Sequence, residues 1–183
     1  MSAEIAVYAR DRTLVRVAQL DDFGELTARS VFNDVGTWTL DMGSDSPYAR
    51  FLDPSTGGGF AGIVITADAV PVFSGPVLQR DEAATITRFS GACDNHLLRR
   101  HVAIPIGADD VPLTGRASTI MRQFVLDQIG NGVGLPTRRY EELLPIADPG
   151  IGSTVTMTFP RYTPMLDVLS EIALAGGGLR FYC

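Results

Sequence analysis

Residues 25–42 read ELTARSVFNDVGTWTLDM and predict two strands joined by a tight turn at residues 33–36. In the second strand Trp38, Leu40 and Met42 share one face, and this period of two is typical of a half-buried strand. The turn contains asparagine, aspartate and glycine, which tolerate positive φ values. The only tryptophan of the chain lies two residues past the turn, where its ring can close a small β core. We therefore predict a structural hairpin without a reactive group.

Length, composition and charge restrict the class of protein. A chain of 183 residues can bury one good core or two small ones. Its hydrophobic fraction of 45% beside 20% charged residues argues against long disorder. The net charge of -6 disfavours non-specific nucleic-acid binding, because phosphate contacts need clustered cations. Two cysteines are too few for a disulfide framework, and we find neither a signal peptide nor a membrane anchor, so we expect a soluble protein made in a cytoplasm.

The first hundred residues are predicted to consist mostly of short strands. Besides the opening hairpin, alternation predicts strands over residues 4–9, 13–19 and 83–93, and the apolar, β-branched run at 61–67 predicts another, which turns into a strand at 70–78. Ala67-Asp68 is predicted to form the turn between these last two strands, and Gly75-Pro76 predicts a bulge or an edge position in the second of them. Short strands separated by polar turns indicate a small β-barrel or sandwich.

Helical patterns follow the strands. A short helix is predicted over residues 94–100 with Asp94 as its N-cap, and an amphipathic helix over residues 116–129. After a strand over residues 153–159, Thr163 and Pro164 predict the N-cap and first position of a last helix, which residues 176–178 end before a strand at 179–183. The fold class is thus mainly β (α+β). The predicted parts are a β-barrel-like domain, a connector and an α+β segment, at residues 1–100, 101–115 and 116–183.

Clusters of cysteine, histidine and glycine are candidate ligand sites. Cys93, His96 and His101 have C-x2-H-x4-H spacing, which offers at most three zinc ligands with no fourth nearby. We interpret them as a buried thiol and two surface imidazoles. The glycine triplets at residues 57–59 and 176–178 lack the Lys-Ser/Thr pair of a phosphate loop, and we interpret them as a loop and a helix cap.

Charged doublets and serines give no catalytic set. Each carboxylate pair joins adjacent residues, which favours a solvated loop over acid/base chemistry; the pairs are Asp21-Asp22, Asp109-Asp110 and Glu141-Glu142. Arg99-Arg100 and Arg138-Arg139 are interpreted as carboxylate or inter-subunit partners. Ser74 and Ser90 lack the G-x-S-x-G elbow of a nucleophile. We predict no catalytic, cofactor-binding or metal-binding residue.

Three stretches together resemble one family. They are RSVFNDVGTWTLDM at residues 29–42, the segment from VFSGP to VAIP at residues 72–105, and TPMLDVLSEIALAGGGLRF at residues 163–181. In the second stretch the matching positions are Phe73, Ser74, Gly75, Pro76, Ser90, Gly91, Asp94, Leu97, Leu98, Arg100 and Pro105. The set is similar to siphophage tail proteins of the ReqiPepy type, which are common in phages of actinobacteria and related in design to the tail-tip hub.

The resemblance implies a structural virion protein and no enzyme. It implies a baseplate hub subunit that forms a ring, with a trimer favoured. This ring would join the tail tube to the tip. The implied partners are further copies, the distal tail protein and other tail-tip proteins, with genomic DNA crossing the lumen without specific recognition. The outer face of the hairpin (Thr37, Thr39 and Asp41) is where a neighbour is expected to dock. Assembly is expected in the host cytoplasm, and family members run on past this length, so we expect the natural chain to continue beyond Cys183.

Three other functions stay open. A distal-tail ring protein would have six copies in place of three. A tail-tip cell-wall hydrolase would need converging acid and nucleophile groups. A carbohydrate-binding module would need an exposed aromatic platform, whereas Trp38 lies on the apolar face of its strand.

Overall fold

The structure is a computed structural model that describes residues 4–11, 15–53, 61–105, 110–130 and 147–181. It divides into two compact units. The first unit combines Met1–Val31 with Val35–His96, and the second combines Phe32–Asp34 with Leu97–Tyr182.

The first unit is built on one antiparallel sheet of seven strands. The strands are β1 (Ile5–Arg10), β2 (Arg16–Gln19), β3 (Glu25–Arg29), β4 (Thr37–Gly43), β5 (Gly62–Ala67), β6 (Val70–Glu82) and β7 (Ile86–Ala92). Their order across the sheet is β2-β1-β5-β6-β7-β4-β3. A 3-10 turn at Ala49–Phe51 follows β4. The predicted mainly β fold class is confirmed.

The sheet curls so that its two halves share one core. Strand β6 is 13 residues long; its first half pairs with β5, and its second half pairs with β7 after a bulge between Val77 and Gln79. Strands β2 and β3 stand at opposite ends of the order, although only residues 20–24 join them. No ladder joins β2 to β3 in the part of the chain that the structure describes. The predicted barrel is therefore not closed by hydrogen bonds, and the sheet remains open between these strands.

The core confirms the predicted faces of the hairpin strand. Trp38, Leu40 and Met42 are buried, whereas Thr37 and Thr39 are exposed. The other members of the same cluster include Val7, Ala9, Leu20, Leu52, Ile63, Ile65, Phe73, Val77 and Phe89. Burial of apolar side chains at about 25 cal/mol per Å² is the main force that closes such a sheet.

The connection between β3 and β4 is longer than predicted. Strand β3 ends at Arg29 and β4 begins at Thr37, so a loop of seven residues joins them. The prediction of a tight turn at residues 33–36 is therefore wrong. Asn33 does have the positive φ of 51° that its residue type tolerates. Residues 32–34 are part of the second unit, and no local pattern indicates that.

The β5–β6 hairpin has a two-residue turn. Ala67 pairs with Val70, and the turn residues Asp68 and Ala69 have φ values of 49° and 65°. Positive φ at both positions is the geometry of a type I′ turn, which matches the twist of the strands. The turn falls one residue later than predicted, and the predicted bulge occurs in β6 just after Gly75-Pro76.

The second unit combines a two-stranded sheet with helices. Its elements are α1 (His96–Arg100), β8 (Asp110–Arg116), α2 (Ala117–Ile129), β9 (Thr154–Pro160) and α3 (Met165–Ala175). The boundary between the units falls within α1, after His96. Strand β8 pairs antiparallel with β9 along its whole length. It lies in the segment predicted as a connector, because Pro112 and Gly115 interrupt the run that would have indicated a strand. The two longer helices and β9 are confirmed to within two residues.

Two details at the ends of α3 correct the predictions. Pro164, with φ -54° and ψ 133°, is the N-cap, and the Thr163 hydroxyl instead donates to the Pro160 carbonyl at 2.7 Å. Residues 179–181 do not form the predicted strand, and residues 182–183 lie outside the described part. None of the described helices is long and apolar enough to cross a membrane.

Candidate functional site

A buried ion pair lies at the end of the sheet in the first unit. The Asp94 carboxylate accepts hydrogen bonds from the Arg10 guanidinium and from the Ser74 hydroxyl. The side chains of Arg10 and Asp94 are 5% and 19% exposed. Asp94 is therefore engaged with β1 and β6, and the prediction that it caps α1 is wrong.

The contacts of this cluster link strands of the first unit. The Asp94 carboxylate forms an ion pair with Arg10 while it accepts the hydrogen bond of the Ser74 hydroxyl, so its charge is balanced within the cluster. The Arg10 Nε has no hydrogen-bond partner among the described residues and packs on Gly62, where an added Cβ would lie 2.9 Å away. The cluster joins two of the positions on which the family resemblance rests, Ser74 and Asp94, to the first strand.

The outer face of the sheet carries polar side chains in register. Across β3, β4, β7 and β6 one row contains Glu25, Asp41, Arg88 and Asp81. Arg88 donates to both Asp41 carboxylate oxygens, at 2.7 and 2.6 Å. The side-chain hydrogen bond from Arg88 lowers the pKa of Asp41 below its ordinary value. Three carboxylates against one guanidinium leave this row acidic.

A second row on the same face is rich in hydroxyl groups. Thr27, Thr39 and Ser90 are register neighbours across β3, β4 and β7, and Gln79 of β6 continues the row. An extended acidic and hydroxyl-bearing sheet face suits hydrogen-bonded contact with a protein and is unsuited to phosphate. It includes Thr37, Thr39 and Asp41, the residues predicted to face a neighbour.

In the second unit Asn33 holds the segment that follows α3. Its Nδ2 donates to the Leu179 carbonyl at 2.7 Å, and its Oδ1 accepts from the Phe181 amide at 3.0 Å. The Asn33 carbonyl accepts from the Ser170 hydroxyl at 3.0 Å. The side chain thus satisfies backbone groups that a neighbouring strand would otherwise satisfy.

A cleft of about 360 Å³ lies beside Asn33 within the second unit. It is lined by Phe32, Asn33, Asp34, Arg99, Leu166, Asp167, Ser170, Leu174 and Gly178. Arg99 donates to Asp34 at 2.7 Å, in agreement with its interpretation as a carboxylate partner. Phe32 and Leu174 are 60% and 77% exposed. Sequence reasoning missed both residues as surface features, because apolar side chains on a loop tip and a helix are more often buried.

The N-terminus of α2 is bound by a carboxylate from a distant loop. Asp148 accepts from the Thr119 hydroxyl at 2.5 Å, the Gly150 amide at 2.9 Å and the Ser118 hydroxyl at 3.0 Å. These bonds, chiefly that from Thr119, lower the pKa of Asp148. The preceding residue, Arg116, provides no side-chain cap, and the amides of Ala117 and Ser118 donate instead to the carbonyls of Ser153 and Ile151. Asp148 adds a negative charge beside this helix N-terminus, where the helix dipole favours it.

The remaining sequence candidates are not brought together. The Cys93 sulfur accepts from the Gly36 amide at 3.1 Å, and Asp21 accepts from Gln19 at 2.7 Å. In the part of the chain that the structure covers, no group of three His, Cys, Asp or Glu side chains could hold a metal ion. Gly177 and Gly178 have φ values of 104° and 78° at the end of α3, so the predicted helix cap is confirmed. The candidates at residues 57–59, 109, 138–139 and 141–142 lie outside the described residues.

The fold and surfaces define a mainly β protein whose described polar groups form ion pairs, hydrogen bonds at helix ends and a polar outer sheet face. Comparison with protein families then identifies its family. The chain belongs to the siphovirus ReqiPepy6 Gp37-like protein family, which matches residues 4–182. The resemblance seen in three stretches of the sequence is thereby confirmed, and the family is one of siphovirus tail proteins.

Three solved tail proteins are similar to this chain at low sequence identity. The prophage tail protein gp18 of Listeria monocytogenes EGD-e is 10% identical with a TM-score of 0.54, over 94% of this chain and 46% of that one. The 43 kDa tail protein of prophage MuSo2 from Shewanella oneidensis is 14% identical with a TM-score of 0.45, over 94% and 49%. A tail protein of Neisseria meningitidis MC58 is 12% identical with a TM-score of 0.46, over 66% and 33%. The chain spans less than half the length of each. A search of curated proteins found no match.

Proposed function

We propose that the chain is a structural component of a phage tail tip, a baseplate hub subunit in a trimeric ring that joins the tail tube to the tip. The observation that carries this proposal is the family match over residues 4–182. The fold shared with the Listeria tail protein supports it. The proposed location is the virion, after assembly in the host cytoplasm. The proposed partners are other copies, the distal tail protein and other tail-tip proteins.

The edges of the sheet support a ring contact. Within the described residues no strand pairs with the outer edge of β2 or of β3. Because seven antiparallel strands alternate in direction, these two edge strands run the same way. A cyclic ring uses heterologous contacts, so it would bring β3 of one copy beside β2 of the next as a parallel pair. A two-fold dimer would instead pair β3 with β3 in antiparallel fashion.

The outer face supports a second contribution to the ring. Thr37, Thr39 and Asp41 present short polar side chains that a neighbouring copy can pack against and hydrogen-bond. An acidic face would also repel DNA that passes through the lumen, as the net charge of -6 suggests.

We propose no enzymatic activity. A hydrolase would need converging acid and nucleophile groups, and in the described first unit the Ser74 hydroxyl is bound to a carboxylate already paired with Arg10. Lysis of cell walls by the purified chain in a turbidity assay would contradict this part of the proposal. Trp38 is 1% exposed, so it provides no aromatic platform for a carbohydrate.

Copy number and symmetry test the proposal. Native mass spectrometry of the assembled particle and electron cryomicroscopy of the tail are expected to give three copies on a three-fold axis. Six copies would identify a distal-tail ring, and absence of the chain from purified tails would overturn the tail assignment.

A pair of variants tests the outer face. Thr39→Trp places a bulky, strand-compatible side chain on that face and is expected to reduce ring assembly while leaving the circular dichroism spectrum unchanged. Thr158→Trp, at an exposed position of β9, is the matched control and is expected to assemble normally. Equal assembly of both variants would exclude the face around Thr39 from the ring contact.

A further inference from the structure

We propose that the cleft of the second unit receives an arginine side chain presented by a partner protein. The inference rests on the walls of the cleft and on its charge, and it does not depend on the copy number of the ring. It assigns a chemical specificity to a surface centred on Phe32, Asp167 and Leu174.

Three apolar side chains contribute to the otherwise polar walls of the cleft, and two of them face solvent. Phe32 and Leu174 are 60% and 77% exposed, and Leu166, at 3% exposure, is the buried apolar member of the lining. The lining thus offers one exposed aromatic ring and one exposed aliphatic side chain to an incoming group. Aromatic residues are enriched at protein interfaces.

The charge of the lining is unbalanced. Asp34 and Asp167 contribute two carboxylates and Arg99 contributes one guanidinium, which leaves one net negative charge. Arg99 donates to Asp34, and no described cation pairs with the Asp167 carboxylate. Asp167 is exposed in the first turn of α3. The cleft therefore offers a carboxylate to an incoming cation.

Arginine satisfies both features at once. Its methylene stem can lie along Leu174, its planar guanidinium can stack on the Phe32 ring, and its N–H groups can donate to Asp167. A purely apolar side chain in the cleft would remove water from the Asp167 carboxylate without providing a hydrogen-bond donor or a positive charge, which is unfavourable. Lysine lacks the planar group that stacks on a ring. The volume of about 360 Å³ accommodates one such side chain with part of its backbone.

The test compares two amino-acid probes whose amino and carboxyl ends are both blocked and which differ only in the side-chain head group. N-acetyl-arginine amide and N-acetyl-citrulline amide are titrated separately into the purified 15N-labelled chain at low salt. The arginine probe is expected to bind with an affinity of about 1 mM, with shifts in the amides of Phe32, Asp167 and Leu174. The citrulline probe is expected to produce much smaller shifts, because it keeps the shape but lacks the charge.

Variants assign the contact. Asp167→Asn is expected to weaken the arginine probe about threefold to fivefold, the range of an exposed ion pair, and Phe32→Ala is expected to weaken it as well. Glu171→Gln, one turn further along α3 and outside the lining of the cleft, is the matched control and is expected to bind normally. Equal binding of citrulline, no shifts at these residues, or unchanged binding by Asp167→Asn would overturn the proposal.

Discussion

Trp38 lies directly opposite Gly91 in the register of β4 and β7, and its indole Nε1 donates to the Pro76 carbonyl at 3.2 Å. A Cβ at residue 91 would lie 2.5 Å from that nitrogen, so only glycine leaves room for the ring. Gly75, the residue before Pro76, is equally confined, because its Cβ would lie 1.8 Å from the Ala92 carbonyl oxygen. The indole and two close backbone approaches thus form one contact at the middle of the sheet.

Replacing this tryptophan is expected to destabilise the first unit strongly. Trp38→Ala should cost about 3–5 kcal/mol in the free energy of unfolding, because it empties a buried volume and leaves the Pro76 carbonyl without its donor. Urea unfolding monitored by circular dichroism measures the loss. Thr39→Ala, on the exposed face of the same strand, is the control and should change the free energy by less than about 0.5 kcal/mol. A loss below about 1 kcal/mol for Trp38→Ala would show that the ring is not buried in solution.

The buried ion pair is expected to depend on both partners. Arg10→Met or Asp94→Asn alone should cost about 3–5 kcal/mol, because each leaves an uncompensated charge or donor away from water. The double variant should cost less than the sum of the two, which a double-mutant cycle measures. Arg88→Met breaks an exposed pair with Asp41 and should have a much smaller effect. Strict additivity of the two single changes would argue against the contact.

The contact between Asp148 and the N-terminus of α2 is expected to weaken in acid. The lowered pKa of Asp148 means that its carboxylate stabilises the folded state above the ordinary value of 3.8, and that this stability is lost as the pH falls through the lower folded pKa. Carboxyl-carbon NMR titration should place the Asp148 midpoint below 3.8. Thr119→Val removes the largest cause and should raise the midpoint. An unchanged midpoint in that variant would assign the shift to other groups.

The turn between β5 and β6 is expected to accept a stabilising change. Ala69 has a φ of 65°. This left-handed conformation is strained for a residue with a Cβ atom and unstrained for glycine. Ala69→Gly should therefore raise the free energy of unfolding by about 0.5–1 kcal/mol. Ala28→Gly in β3 is the control, and it should lower the free energy because its backbone is an ordinary strand. Destabilisation by both changes would indicate a different turn geometry.

The local pattern of apolar and polar residues predicted the fold correctly where alternate side chains of a strand, or one face of a helix, are buried. The alternation at residues 37–42 predicted which side chains of β4 reach the core, and the apolar stripe at 116–129 predicted α2. It failed where the pattern is broken by proline and glycine, as in β8, or where the partner is remote, as for the loop at residues 30–36.

By itself, then, the sequence determined the mainly β class, the faces of the hairpin, the longer helices and the family. These properties depend on side-chain periodicity and on short runs of residues, which are local. Only the tertiary structure decided that Arg10 pairs with Asp94, 84 residues away, and that Asn33 binds the backbone after α3 at Leu179, 146 residues away. It also placed Phe32 and Asp167 in one cleft. Such contacts are set by the pairing of distant strands and loops, and no local pattern records which distant residues will meet.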